Sequence, residues 1–116
     1  MISMAENSYS RDRLKRYKKF YPFLGLVARP ASYDRFLANG MAILDFDSRN
    51  DLGNITCPTL VLGGEEDMVL GIQGSYDLRD LIEGSELHTF RGLGHAAFEE
   101  SPDFSRLVFE FLDKAE

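Results

Sequence analysis

The sequence predicts an α/β protein, a helical segment over residues 1–54 followed by a parallel β-α-β-α unit over residues 55–116. Three observations carry this expectation. The run Thr59-Leu60-Val61-Leu62 is short, rich in β-formers and apolar without alternation, and it stops at Gly63-Gly64; a strand buried on both faces of a parallel sheet has this pattern. A second short strand, Ser85-Glu86-Leu87-His88-Thr89-Phe90, follows after an intervening stretch at helical spacing. Strand, helix, strand, helix in this order argues for a right-handed parallel crossover.

The elements follow from local signals. Ser10 is a plausible N-cap for a first helix over 11–24, with Leu14, Tyr17, Tyr21 and Leu24 at helical spacing until Arg29-Pro30 breaks the pattern. Ser32 can cap a second helix whose apolar stripe is Tyr33, Phe36, Leu37, Gly40, Met41 and Leu44. Residues 45–54 are polar and end in Gly53-Asn54, as a loop does. Beyond the first strand a helix over 73–83 places Leu78, Leu81 and Ile82 on one side and closes at Gly84. The last helix has Ser101 as N-cap, Pro102 at its first position, and Phe104, Leu107, Val108, Phe111 and Leu112 as its inward stripe.

Composition narrows the function classes. With 44% hydrophobic and 28% charged residues in 116, the chain has the profile of a single soluble globular domain. No apolar run is long enough to span a membrane, and the polar first residues do not resemble a signal peptide. The one cysteine, Cys57, cannot form an internal disulfide, which fits the reducing cytoplasm where the protein is expected. It precedes a proline at the start of a strand and is expected to be a buried structural thiol. Residues 1–30 hold seven Lys/Arg against two Asp/Glu; the remainder holds six against seventeen. The basic stretch RDRLKRYKKFYPF is best taken as a solvated helix face with its aromatic rings packed inward, because no recognition motif accompanies it. Neither a nucleic acid nor a membrane is the expected partner.

Chemistry is expected where parallel strands end, since reactive residues of open parallel sheets gather in the loops at the carboxyl edge. Two such loops occur: Gly63-Gly64-Glu65-Glu66-Asp67 and Gly92-Leu93-Gly94-His95. Neighbouring parallel strands would bring Asp67 and His95 together across 28 positions of sequence. A carboxylate held on one imidazole nitrogen fixes the tautomer and stabilises the imidazolium formed when the other accepts a proton. Glu65 and Glu66 are rival acids on the same loop, and one loop offers few oxygens for a hard cation. His88, mid-strand and without glycines around it, is expected to be an ordinary surface or half-buried residue.

From Ile55 to Leu112 the chain resembles the C-terminal part of the α/β-hydrolase family. The resemblance rests on the Pro-Thr-Leu-Val-Leu strand, Gly64-x-x-Asp67, Gly84, Gly94-His95, Glu100, Pro102 and the Phe/Leu-rich closing helix, in family-like order and spacing. Residues 1–54 resemble, less specifically, the helical cap that many members insert. The resemblance implies a partial α/β-hydrolase fold, with Asp67 as acid and His95 as general base of a nucleophile–acid–histidine triad. Such enzymes hydrolyse ester, amide or related bonds in small molecules without a metal or organic cofactor. Glu100 is then expected to anchor the His95 loop or to cap the last helix.

The match is incomplete. The family's nucleophile sits on a Gly-x-Ser-x-Gly elbow, and the sequence contains no such pentapeptide. Gly74-Ser75 falls inside a helix assigned to the far side of the first strand, Ser32 is a cap and Ser85 begins a strand. The leading expectation is a hydrolase polypeptide that supplies acid and base while the nucleophile lies elsewhere, as in a truncated product or one half of a split enzyme, inactive alone. The alternative is a non-catalytic module in which the uncovered edge of the first strand drives self-association or captures a complementary chain.

Overall fold

The computed structural model describes residues 6–23 and 32–115. Leu24 and Arg29-Pro30, assigned to the end of the first helix, lie outside the described residues. The first helix, α1, spans Arg11–Tyr17 and tightens into a 3-10 turn at Lys18–Phe20. Ser10 occupies the N-cap position, and its carbonyl accepts from Leu14 N (3.0 Å), but its side chain does not cap the helix. Tyr21 is buried, whereas Phe20 and Phe23 are exposed, so the aromatic rings of the basic stretch are only partly packed inward.

Helix α2 covers Tyr33–Asp45, and Ser32 caps it as expected, its Oγ accepting from Arg35 N at 3.4 Å. The apolar stripe is where the spacing placed it, yet Tyr33, Phe36, Leu37, Met41 and Leu44 are all exposed, Leu44 at 85%. Periodicity defines a helix face; it does not supply the surface that covers it. The following loop ends in a 3-10 turn, Leu52–Asn54, that buries Leu52.

Strands β1 (Leu60–Gly64) and β2 (Glu86–Phe90) pair in parallel, with Leu60 opposite Glu86 and Gly64 opposite Phe90. Helix α3 (Gln73–Leu81) connects them, and Gly84 takes a positive φ of 73° that a side chain would disfavour. In β1 only Val61 and Gly64 are buried and the rest is half-buried, less cover than the unbroken apolar run implied. Strand β2 alternates as expected, with Leu87 and Thr89 half-buried and His88 exposed. The buried apolar residues are Tyr21, Leu52, Val61, Ile82, Phe90, Ala96 and Ala97 among those described.

After β2 comes a four-residue helix, α4 (Ala97–Glu100), that the sequence pattern did not resolve, and then α5 (Phe104–Ala115). Helix α5 starts later than Ser101-Pro102 suggested. Ser101 Oγ accepts from Asp103 N (3.2 Å) in a turn of its own, and the first helical bond runs from Leu107 N to Asp103 O (3.0 Å). The Phe104 ring stacks on Phe90 at 5.9 Å between centroids, fastening α5 to the sheet, while Leu112 at the far end of the stripe is exposed.

Candidate active site

The two strands end side by side, and the loops beyond them continue the ladder: Glu65 N donates to Phe90 O (3.1 Å) and Glu66 N to Leu93 O (2.9 Å). This zipper forces the loops into contact. A Cβ on Gly64 would lie 2.2 Å from Gly94 O, and one on Gly94 would lie 2.9 Å from Ser8 O. Both positions therefore require glycine for lack of space.

Asp67 closes the first loop. Its N–H donates to Gly64 O (3.2 Å), and its Oδ1 accepts from Val69 N (2.7 Å) and Leu70 N (3.1 Å). Oδ2 is thereby turned to His95, whose Nδ1 lies 2.9 Å away. The Asp67 side chain is 12% exposed and that of His95 40%. Burial pushes the Asp67 carboxyl up, but the imidazole bond and the two backbone N–H bonds outweigh it and hold the group below its ordinary value. An ionised carboxylate only accepts, so Nδ1 carries the proton and Nε2 keeps its lone pair. The pair can take a proton at Nε2 and stabilise the resulting imidazolium.

Other expectations resolve here. Glu65, a rival acid, accepts from Thr89 Oγ1 (2.9 Å) instead, with Arg91 Nε 4.0 Å from its second oxygen. Glu66 is exposed. His88 sets its ring edge-on to Phe90 at 4.9 Å and takes no part in the site. Cys57 is exposed rather than buried, because it stands in the bend before β1, ahead of any paired residue. Its position at the opposite end of β1 from Asp67 stands. Glu100 does not cap α5: its Oε1 accepts from Ser10 N (2.9 Å) and its Oε2 from the Ser10 hydroxyl. Among the described residues no group of three His, Cys, Asp or Glu side chains is placed to hold a metal ion.

Asp67 and His95 open onto a cleft of about 690 Å³, within the size range of small-molecule sites. Its walls are mainly apolar, including Leu62, Leu70, Leu78 and Phe98. Ser75 also lines it, a correction to the far-side placement, with its Oγ packed against Gly63. It stands in the first turn of α3 and makes no hydrogen bond with His95. Sequence reasoning missed Asp47 and Arg49, which also line the cleft. Arg49 Nε and Nη2 hold Asp47 in a two-pronged pair at 2.9 and 2.6 Å, and the Asp47 carboxyl is lowered to about 2 by that hydrogen bonding. The only signal was an acid and a base two positions apart in a loop.

No family model matches the chain. It is 36% identical over 90 residues to the AB hydrolase superfamily protein YisY of Bacillus subtilis, covering 77% of this chain and 33% of that protein. It is 36% identical over 95 residues to a 2-hydroxy-6-oxononadienedioate/2-hydroxy-6-oxononatrienedioate hydrolase of Klebsiella pneumoniae, covering 78% of this chain and 32% of that one. Among solved structures, the deep-sea metagenomic α/β hydrolase MGS-M2 superposes with a TM-score of 0.78 over 95% of this chain and 42% of its own, at 24% identity. The meta-cleavage product hydrolase CumD gives a TM-score of 0.55 and 36% identity over 60% of this chain and 26% of its own. The chain spans about a third of the length of the curated relatives it matches.

Proposed function

Because the chain belongs to the α/β-hydrolase family, we propose that it contributes the acid, Asp67, and the general base, His95, of a triad that hydrolyses ester or amide-type bonds in small molecules. One observation carries the reading: Oδ2 of Asp67 and Nδ1 of His95 stand 2.9 Å apart at the adjoining ends of two parallel strands, over an apolar cleft.

The chemistry follows from that geometry. Asp67 keeps the proton of His95 on Nδ1, so Nε2 can withdraw the proton of a nucleophile hydroxyl as its oxygen attacks the scissile carbonyl. The imidazolium so formed is stabilised by the carboxylate and returns its proton to the leaving group; a water that gives its proton to the same Nε2 then attacks the acyl group, and that proton passes to the nucleophile oxygen as the acid is released. The cleft walls hold the apolar part of the substrate. The nucleophile is a serine on an elbow outside these 116 residues, so the chain by itself does not turn over. Meta-cleavage products, on which CumD acts according to its name, belong among the substrates to be assayed beside simple esters.

Joining the chain to the upstream part of a related hydrolase that carries a Gly-x-Ser-x-Gly elbow tests this. The joined protein is expected to hydrolyse activated esters and to lose that activity on His95→Ala. Turnover undiminished by His95→Ala would refute the assignment.

A further inference from the structure

We propose that residues 8–13 form a strap that sets the position of His95, and that Glu100 is its positioning residue. The inference rests on the reading of His95 as the base, and concerns how that imidazole is held.

His95 has little to hold it directly. Its side chain is 40% exposed, and among the described residues its side-chain hydrogen bond is the one to Asp67. Its place is set by the backbone on either side, and both sides meet one atom, the carbonyl oxygen of Ser8. Ala96 N donates to Ser8 O at 2.8 Å, and the Gly94 Cα faces the same oxygen so closely that a Cβ there would lie 2.9 Å from it. Ala96 and Ala97 are buried beneath this contact.

The strap is fastened one turn further on. The Glu100 carboxylate accepts from both donors of Ser10, the backbone N–H at 2.9 Å and the hydroxyl. Tyr9 Oη donates to Glu99 Oε2 at 2.9 Å, and Arg13 Nη1 donates to Glu99 O at 3.2 Å. Glu99 and Glu100 end α4, the short helix that begins two residues after His95. A carboxylate taking two donors from one residue fixes orientation as well as distance, and bonds to a charged acceptor are about twice as strong as neutral ones. Of these groups Glu100 is the one that is part-buried with both oxygens engaged. This explains why the Ser10 side chain leaves the end of α1 uncapped: its hydroxyl is used across the strap.

The protein's two histidines make the test selective, because His88 stands on β2 with its ring against Phe90 and serves as an internal control. The readout is the exchange rate of the His95 Nδ1–H proton with solvent, followed by NMR of ring-labelled 116-residue protein. Glu100→Ala is expected to speed that exchange at least about tenfold, the factor that loss of one bond to a charged group represents. The His88 ring signals stay in place, and Glu100→Gln, which keeps an acceptor for Ser10, restores most of the protection. Ser10→Ala, which removes only the hydroxyl, gives a smaller acceleration and serves if Glu100→Ala does not fold. Unchanged exchange in both alanine variants, or His88 and His95 shifting together, would overturn the proposal. Because the ring proton is read without turnover, a clamp that fails here is separable from a His95 that is no base.

Discussion

Gly64 ends β1 directly beneath the carbonyl of Gly94, so close that a Cβ at position 64 would stand 2.2 Å from that oxygen and 2.5 Å from Leu93 O. The two loops that carry Asp67 and His95 are thus held at backbone contact distance, and the carboxylate–imidazole bond is a consequence of that packing.

Gly64→Ala is therefore expected to force the loops apart. Overpacking of a filled interior costs about 1–3 kcal/mol, and backbone atoms cannot swing aside as a side-chain tip can, so the upper part of that range applies. Urea denaturation measures the loss, and the His95 Nδ1–H signal is expected to weaken with it. Gly53→Ala, with open space around the site, is the control and is expected to change stability little.

Asp67 gives a pH dependence of defined sign. Its carboxyl is held below its ordinary value in the folded protein, so the folded state favours the ionised form. That contribution is present above the unfolded value, about 3.9, and is lost as pH falls through the lower folded value. Asp67→Asn keeps an oxygen for Val69 N and Leu70 N but loses the charge. The gap in urea midpoint between wild type and this variant is expected to be open at pH 7 and to narrow as the pH is lowered below 4. A gap that widened on acidification would contradict the assignment.

In the protein joined to an elbow-bearing part, Asp67→Asn is expected to lower kcat by about 10⁴-fold, because an amide NH₂ facing Nδ1 selects the wrong tautomer. KM is expected to change far less. A steady-state comparison of the two parameters separates this from loss of the cleft.

The chain by itself is expected not to hydrolyse activated esters above the buffer rate. Ser75 sharpens the measurement, since it lines the same cleft. Hydrolysis by the 116-residue chain that disappeared with either Ser75→Ala or His95→Ala would show that the nucleophile is already present.

The exposed face of α2 predicts behaviour in solution. Leu37 and Met41 are 61% and 64% exposed, so Leu37→Glu and Met41→Glu remove little burial and are expected to change stability by no more than about 0.5 kcal/mol. They also break an apolar patch of the kind that drives association. Light scattering is expected to show less self-association in the double variant. Equal scattering in both proteins would mean that the patch is not the cause.

Much of the fold could be read from local pattern. The unbroken run at 59–62, the alternation over 85–90 and the glycines that end each strand depend on near neighbours, and β1, α3 and β2 lie within two or three residues of where those signals put them. The short helix α4 was hidden because four residues are too few to show a period. Helix α5 begins past Pro102 because Ser101 spends its hydroxyl on a turn rather than on a cap. Cys57 is exposed where its residue type predicts burial, because residue type speaks for the average site and this thiol precedes the paired part of β1.

By itself the sequence determined which residues could do chemistry: it put a carboxylate and an imidazole just beyond the ends of two strands, with glycines beside them. That much is local, since strand, turn and helix signals act over a few residues. Only the tertiary structure decided which acid meets His95. The parallel register sends Glu65 to Thr89 and leaves Oδ2 of Asp67 for the imidazole. It alone showed Glu100 reaching back to Ser10, and the α2 stripe left uncovered. Those outcomes depend on which surfaces meet across long stretches of chain, and no short-range pattern encodes that.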